Sequence, residues 1–310
     1  MTAAMALAAN RPPTMPVHQQ LKLLVDERLE RLMPADAEPQ PLVRAMRHVL
    51  LSPGKRLRPL LVLMGTAELG GDALAALEVG CALEMVHAAS LVLDDLPCMD
   101  DASLRRGQPT THLVYGEDVA VLASIALLSR AFGLVACQRH LDPMVRAELS
   151  CMLSACIGTE GLVAGQLDDL RGGRAAAGLA AVEHRHLRKT GALFVAAIES
   201  AAAIAGPIDE PRLACLRDFA KHLGIAFQCC DDLLDATRSS AALGKDVGKD
   251  AGKSTVVSLL GIEGARRTMH LHLARAHAIA GGPLGRNGVP GPLAEFLDCA
   301  FGPELQAALA

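Results

Sequence analysis

Aromatic residues are nearly missing from this chain: there is no Trp, one Tyr, and aromatics make up 2% of the 310 residues. Large sheets are usually rich in aromatic and β-branched residues, so this scarcity argues against a β fold and favours helices. The nine cysteines include no CxxC spacing and their number is odd. They therefore predict reduced thiols in a cytoplasmic protein rather than a disulfide framework.

A strong charge of either sign is also lacking, since the formal net charge is −4. That value excludes a general nucleic-acid binder or a membrane-surface binder. The most apolar run, Val119 to Leu128, stops before Arg130. The run predicts a buried helix that is too short to cross a bilayer, and hence no stable membrane insertion. Residues 1–16 lack a basic start followed by an apolar run, so they predict a flexible tail.

Helical periodicity runs through most of the chain. Val121, Ile125, Leu128 and Phe132 repeat at the spacing of one helix face, and no segment alternates apolar and polar residues like a strand. Glycine and proline interrupt the helices without forming a long linker, and they concentrate in residues 281–292. The sequence predicts an all-α protein in which residues 1–310 form a single domain. Residues 281–292 are predicted to be a loop before a short terminal helix.

Two clusters of carboxylates carry the chemistry. The first contains Asp94, Asp95, Asp100 and Asp101 and precedes Arg105 and Arg106; the second contains Asp231, Asp232 and Asp235 and precedes Lys245, Lys249 and Lys253. Ionised carboxylates at the end of an apolar helix repel one another unless cations neutralise them. Mg²⁺ suits such a place because it binds a few carboxylates together with water and phosphate oxygens. The basic residues that follow suit a phosphate ligand.

Helix geometry settles only part of this arrangement. Asp231 and Asp235 lie about 40° apart on a helix and can share a cation, and His87 lies about 20° from Asp94. In the first cluster, Asp101 falls closer to Asp94 than Asp100 does on an unbroken helix. Pro97 interrupts that helix. Geometry alone therefore leaves open which of the two is the third ligand.

Several motifs in order resemble one known family. They are GKRLRP at residues 54–59, EMVHAAS at 84–90, the first aspartate cluster, GQ at 165–166, KT at 189–190, FQ at 227–228, the second aspartate cluster and GKST at 252–255. This order, from about Leu21 to Leu260, resembles the trans-prenyl diphosphate synthases, and most closely the bacterial geranylgeranyl diphosphate synthases of carotenoid pathways.

The resemblance implies a fold and a reaction. The fold is the isoprenoid synthase fold, a bundle of antiparallel helices around a deep central cavity, in a homodimer. The reaction joins isopentenyl diphosphate to an allylic diphosphate (dimethylallyl, geranyl or farnesyl) and gives geranylgeranyl diphosphate. Three Mg²⁺ ions assist departure of the allylic diphosphate, and the resulting cation is attacked by the isopentenyl double bond.

The resemblance also implies roles for individual residues. The metal ligands are Asp94, Asp95, Asp100, Asp231, Asp232 and Asp235, which favours Asp100 over Asp101. The catalytic basic residues are Arg105, Lys189 and Lys245, which contact the allylic diphosphate beside Thr190 and Gln228. The isopentenyl diphosphate site contains Lys55, Arg58, His87 and Arg106.

Chain length is predicted from the two residues at positions five and four before Asp94. Ala89 and Ser90 are small, where relatives that stop at fifteen carbons often carry an aromatic floor, so the resemblance implies a twenty-carbon product. A farnesyl diphosphate synthase is the nearest alternative. A class I terpene cyclase would have Asn, Ser and Glu in its second metal motif, and a non-catalytic subunit would have lost one cluster; this chain keeps both aspartate clusters.

Overall fold

Helices make up almost all of the regular structure in the computed structural model, which describes residues 15–33, 40–172, 178–237, 254–284 and 291–302. The helices in these ranges are α1 (Val17–Leu32), α2 (Pro41–Leu50), α3 (Leu57–Leu69), α4 (Ala73–Asp94), α5 (Thr111–Tyr115), α6 (Glu117–Ala136), α7 (Pro143–Ile157), α8 (Leu162–Gly172), α9 (Leu179–His186), α10 (Ala192–Ala205), α11 (Glu210–Thr237), α12 (Val256–Gly281) and α13 (Pro292–Ala300). A π-helical turn, Leu187–Gly191, joins α9 to α10, and the strands β1 (Leu104–Arg105) and β2 (Gln108–Pro109) form a small antiparallel hairpin. The prediction of an all-α fold is confirmed.

Helices α3 and α4 form the centre of the bundle. Nearly every residue of α3 from Leu57 to Glu68 is buried, and α4 is buried along most of its length. Asp72 caps α4 by accepting hydrogen bonds from the backbone N–H groups of Leu74 and Ala75. Small side chains let the two helices approach closely, and a Cβ on Gly80 would lie only 3.0 Å from Cα of Pro59. This close packing fixes the ends of α3 and α4, which carry the predicted site residues.

A buried arginine holds the loop before α3. Arg56 has a left-handed backbone (φ 53°) and is 4% exposed. Its guanidinium donates to Asp26 on α1 (2.7 Å), to Glu84 on α4 (2.8 Å) and to the carbonyl of Ser52 (2.9 Å). A buried ion pair with its hydrogen bonds satisfied specifies one arrangement more than it adds stability. Arg56 therefore determines how the chain enters α3.

Helix α6 differs from the prediction for its apolar run. It continues past Arg130 to Ala136, so it has 20 residues, and the expectation that this segment is too short to cross a bilayer is wrong. By length and composition alone, α4, α6 and the stretch Pro143–Arg171 could each span a membrane. In α4, 78% of the most apolar window is buried within the protein, but the share is 33% in α6. Leu122 and Ile125 on α6 are more than half exposed, so this helix is buried on one face only.

The predicted terminal segments fall partly outside the described residues. Residues 1–14 of the predicted tail are not among them, and α1 begins at Val17. In the predicted loop at 281–292, helix α12 ends at Gly281 and α13 begins at Pro292, with residues 285–290 outside the described ranges.

Candidate active site

One cavity of about 470 Å³ brings most of the predicted site residues together. The site residues predicted from the sequence that line this cavity are Lys55, Arg58, His87, Ser90, Asp94, Asp100, Arg105, Arg106, Lys189, Thr190, Gln228, Asp231, Asp232 and Asp235. Ala89 and Asp95 are buried close to the cavity but do not line it. Lys245 and its neighbours Lys249 and Lys253 lie outside the described residues.

The four carboxylates of the first cluster have different surroundings. Asp94 ends α4 and lines the cavity, and its backbone carbonyl accepts from the N–H of Asp100, which lines the cavity too. Asp95 points instead to Arg105, whose Nε lies 3.0 Å from its Oδ1. Asp101 is exposed, with a left-handed backbone (φ 47°). The turn after Pro97 thus places Asp100, and not Asp101, beside Asp94.

The electrostatics of Asp94 suit a cation. Burial raises the pKa of this carboxyl to about 6; Lys189 lowers it, whereas Asp100 raises it further. A cation between Asp94 and Asp100 would relieve this repulsion and favour the ionised form of both.

A basic region lies at the end of the cavity near α3. Burial lowers the pKa of Arg58 to about 10, and burial together with Arg58 and Arg106 lowers the pKa of His87 well below its usual value. His87 is therefore neutral at pH 7, while the two arginines carry the charge. Nε of Arg58 is buried without a hydrogen-bond partner among the described residues. An anion with several oxygens would satisfy this donor and offset the repulsion between the arginines.

The hairpin β1–β2 separates two neighbouring arginines. Arg105 bonds Asp95, as described above, whereas Arg106 has a left-handed backbone (φ 53°) and donates to Oγ of Ser52 at 3.2 Å. A Cβ on Gly54 would lie 2.9 Å from the guanidinium of Arg106. The glycine therefore leaves room for Arg106 to join the basic region near α3, and Arg105 stays beside the first acidic cluster.

The second acidic cluster ends α11. Asp231 and Asp235 are four residues apart, and both line the cavity. Asp232 is 4% exposed and accepts hydrogen bonds from Nε2 of Gln228 (3.0 Å) and from the backbone N–H of Val256 at the start of α12 (3.2 Å). Thr190 donates to Oε1 of the same glutamine at 2.7 Å. This chain of hydrogen bonds gives Asp232 a positioning role beside any contact with a cation.

Lys189 projects from the π-helical turn. Burial alone would lower its pKa, but Asp169, Asp94 and Asp100 raise it above its usual value, so the ammonium stays charged. Nζ of Lys189 lies 2.7 Å from Asp169, and Arg185 lies 3.8 Å from the same carboxylate. A π turn in a helix often marks a functional site. Here it places a charged lysine between the first acidic cluster and Asp169.

Several polar cavity residues were not predicted as site residues, among them Gln166, Asp169, Arg185 and His186. Asp169 and Arg185 line the cavity, as does Gln166, which is 7% exposed with both amide atoms unbonded among the described residues. The sequence offered some signal: Gln166 belongs to the GQ motif, and Asp169 belongs to an acidic doublet with Asp168. The doublet divides in the structure, because Asp168 bonds Arg188 (3.0 Å) and Asp169 bonds Lys189.

Within the described ranges, no three His, Cys, Asp or Glu side chains converge closely enough to hold a metal ion by themselves. Mg²⁺ does not require such a set, because it is commonly held by one or two carboxylates, water and substrate phosphate oxygens. The pairs Asp94–Asp100 and Asp231–Asp235 fit that pattern.

Comparison with known proteins gives a consistent result. Residues 39–278 match the family model for polyprenyl synthetase. A geranylgeranyl diphosphate synthase of Pantoea ananas is 46% identical over 84% of this chain and 87% of its own length. One of Pseudescherichia vulneris is 40% identical over 93% of both chains.

Solved structures agree on the fold. A Helicobacter pylori geranyltransferase, complexed with magnesium and isoprenyl diphosphate, superposes with a TM-score of 0.82 at 28% identity over 94% of this chain and 97% of its own. A Zymomonas mobilis FPP/GFPP synthase superposes with a TM-score of 0.79 at 35% identity over the same shares. With two acidic clusters and a basic region lining one cavity of a helical bundle, this chain belongs to the polyprenyl synthetase family.

Proposed function

We propose that this protein is a prenyltransferase that condenses isopentenyl diphosphate with allylic diphosphates to give geranylgeranyl diphosphate. The observation that carries the proposal is the division of one cavity into an acidic part and a basic part. Asp94, Asp100, Asp231 and Asp235 lie in the acidic part, and Arg58 and Arg106 lie in the basic part. Such a cavity can bind two diphosphate groups in different places. The acidic part binds, through cations, the diphosphate that leaves, and the basic part binds the diphosphate that stays on its substrate.

The acidic part suits the allylic diphosphate. Asp94, Asp100, Asp231 and Asp235 would hold Mg²⁺, which neutralises the leaving diphosphate when bound; we propose three ions. Arg105 and Lys189 would stabilise the negative charge that develops as the C–O bond breaks. Both side chains are already oriented, Arg105 by Asp95 and Lys189 by Asp169. Lys245 is proposed for the same role from the family resemblance.

The basic part suits isopentenyl diphosphate. Lys55, Arg58 and Arg106 would bind its two phosphates, and neutral His87 would donate or accept a hydrogen bond beside them. The bound molecule presents its double bond to the allylic cation and a new C–C bond forms. The released diphosphate then accepts the proton that the resulting cation loses. The apolar residues Leu91, Leu193 and Phe227 also line the cavity. They exclude water, which would otherwise quench the cation.

The proposed reaction is tested with purified protein, labelled isopentenyl diphosphate, each allylic primer and Mg²⁺. We expect geranylgeranyl diphosphate as the main product, no condensation in excess EDTA, and recovery when Mg²⁺ is added back. Chromatography of the dephosphorylated products gives the carbon number. Substantial condensation in metal-free buffer would contradict the mechanism, and a mainly fifteen-carbon product would identify a farnesyl diphosphate synthase.

The depth of the cavity is proposed to set the product length through Ala89 and Ser90. Ser90 lines the cavity, whereas Ala89 is fully buried and its carbonyl accepts from Ser124 on α6 at 3.2 Å. A phenyl ring at either position fills space that the last isoprene unit would occupy or displaces its wall. We expect Ser90→Phe and Ala89→Phe to shift the main product from twenty to fifteen carbons. Active variants that still make mainly the twenty-carbon product would remove these residues from chain-length control.

We further propose that the protein is a cytoplasmic homodimer whose 310 residues form a single domain. The exposed side chains of Leu113, Leu122 and Ile125 give α5 and α6 an apolar outer surface. In aqueous solution such a surface is unfavourable unless another surface covers it. We propose that a second copy of the chain, and not a lipid bilayer, covers this apolar surface.

Ile125→Asp places a charge on the proposed dimer surface, so we expect this variant to be a monomer in sedimentation equilibrium. The unmodified protein is expected to sediment as a dimer. Leu271→Asp, at a residue on α12 that is 50% exposed, is the matched control and should leave the dimer intact. A monomeric unmodified protein that floats with liposomes would reverse this proposal.

A further inference from the structure

Glu68 is a buried carboxylate at the end of α3 opposite to the cavity residue Arg58. It is 2% exposed, and it accepts a hydrogen bond from the backbone N–H of Leu293 (3.3 Å) in the first turn of α13. Gly291, the N-cap residue of α13, has no side chain with which to cap the helix. A carboxylate at this position both bonds an unsatisfied N–H group and interacts favourably with the helix dipole. Glu68 thus caps α13 from another helix.

The contact between Glu68 and α13 is close. A Cβ on Gly291 would lie 2.7 Å from Cδ of Glu68, so a larger residue there would have to displace the carboxylate from its place at the start of α13. Near the same end, Cδ2 of Leu293 lies 3.9 Å from the position of a Cβ on Gly65, one turn earlier on α3. The start of α13 is therefore held against the end of α3.

The other end of α13 reaches the cavity. Ala300 and Phe301 line it together with Lys55 and Arg58, and Phe301 is 6% exposed. Cys299 lies near Lys55: burial raises the pKa of its thiol, and the Lys55 ammonium lowers it. Helix α13 therefore runs antiparallel to α3, with its start at Glu68 and its end at the basic region.

We propose that Glu68 is a positioning residue for the isopentenyl diphosphate end of the cavity. By holding the start of α13 it sets the place of Phe301, and hence the shape of the cavity wall beside Lys55 and Arg58. This inference rests on the proposed function, because it assigns the basic region to isopentenyl diphosphate. It connects a residue outside the cavity with the affinity for one of the two substrates.

The substrate selectivity of the effect follows from the elements involved. Arg105 and Lys189 lie on the hairpin and on the π-helical turn, whereas α13 packs mainly against α3 and α12. Loss of the cap from α13 should therefore raise the Michaelis constant for isopentenyl diphosphate and leave that for the allylic substrate nearly unchanged. The increase should not exceed about fivefold, which is the factor that corresponds to the whole free-energy cost of losing a helix N-cap.

The experiment compares Glu68→Ala, Glu68→Gln, Phe301→Ala and the double variant Glu68→Ala/Phe301→Ala in the full chain. We expect Glu68→Ala and Phe301→Ala to raise the Michaelis constant for isopentenyl diphosphate, with kcat within about twofold. The amide oxygen of Glu68→Gln still accepts from Leu293, so this variant should recover most of the loss. The double variant should be no worse than Phe301→Ala, because both changes act on the same wall.

Several results would overturn the proposal. Equal increases in both Michaelis constants, or effects that multiply in the double variant, would show that Glu68 only supports overall stability. Unchanged kinetics in a folded Glu68→Ala protein would show that α13 is held without it. If Glu68→Ala does not fold, Phe301→Ala and Glu68→Gln still test the proposal. A Phe301→Ala variant with unchanged Michaelis constants would show that the cavity wall at Phe301 does not affect isopentenyl diphosphate binding. Failure of the proposed function is separate, because then the unmodified protein would not condense the substrates.

Discussion

Asp100→Asn is expected to lower kcat by about 10²- to 10³-fold, whereas Asp101→Asn is expected to change it by less than about threefold. Both substitutions remove one negative charge from adjacent positions and keep the shape of the side chain. The difference arises because Asp100 lines the cavity with Asp94, while the left-handed residue Asp101 is exposed. Only the first change removes a proposed ligand of the cations that neutralise the leaving diphosphate.

The measurement is steady-state kinetics over a range of Mg²⁺ concentrations, with circular dichroism to verify the fold. For Asp100→Asn we expect a higher Mg²⁺ requirement as well as a lower kcat, since a weakened cation site is partly restored by mass action. Asp101→Asn serves as the matched control. The opposite ranking of the two variants would show that Asp101 is the third ligand of the first cluster, as the unbroken-helix count had allowed.

The sequence predicted features that depend on neighbours along the chain. Asp231 and Asp235 line the cavity because four residues make about one helical turn. The predicted packed face of α6 is wrong, because Val121 and Ile125 are exposed whereas their neighbours Ala120, Ala123 and Leu127 are buried. The extent of α6 could not be read in this way. Its apolar run stops before Arg130, but arginine is a good helix former and the helix continues to Ala136. The guanidinium of Arg130 donates to the carbonyl of Leu32 at the end of α1.

Contacts between residues that are far apart in the chain could not be predicted from local sequence patterns. Asp169 bonds Lys189, a residue 20 positions away, and nothing local distinguishes it from its surface neighbour Asp168. Glu68 bonds Leu293 across 225 positions. From its position next to Asp94, Asp95 was predicted to be a metal ligand. Its ion pair with Arg105 is seen only in the structure, where the hairpin places the two side chains together. The family resemblance supplied some of this long-range information, because it named Lys189 and Arg105, though not what orients them.

The largest effect expected outside the charged residues is that of Gly165→Ala. Gly165 on α8 faces the π-helical turn, and a Cβ there would lie 2.7 Å from both the carbonyl carbon of Arg188 and Cα of Lys189. These are backbone atoms and cannot move aside like the end of a flexible side chain. From the other side, a Cβ on Gly224 would lie 2.8 Å from Cα of Gly191. The π turn is therefore held between two glycines.

Gly165→Ala should push the turn away from α8 and move Nζ of Lys189 from its place beside Asp169 and Asp94. A displacement of about 1 Å at a charged group that stabilises the leaving diphosphate can cost about 10²-fold in rate. We expect a fall of this size in kcat/KM for the allylic substrate. The Michaelis constant for isopentenyl diphosphate, bound by side chains on α3, α4 and the hairpin, should change by less than about threefold.

Gly133→Ala is the matched control, because Gly133 lies in α6 and a Cβ there would meet nothing within 4 Å. Alanine at that position should leave both constants unchanged and add a little helix stability. If Gly165→Ala folds and keeps full activity toward the allylic substrate, then the place of the π turn does not determine the catalytic position of Lys189.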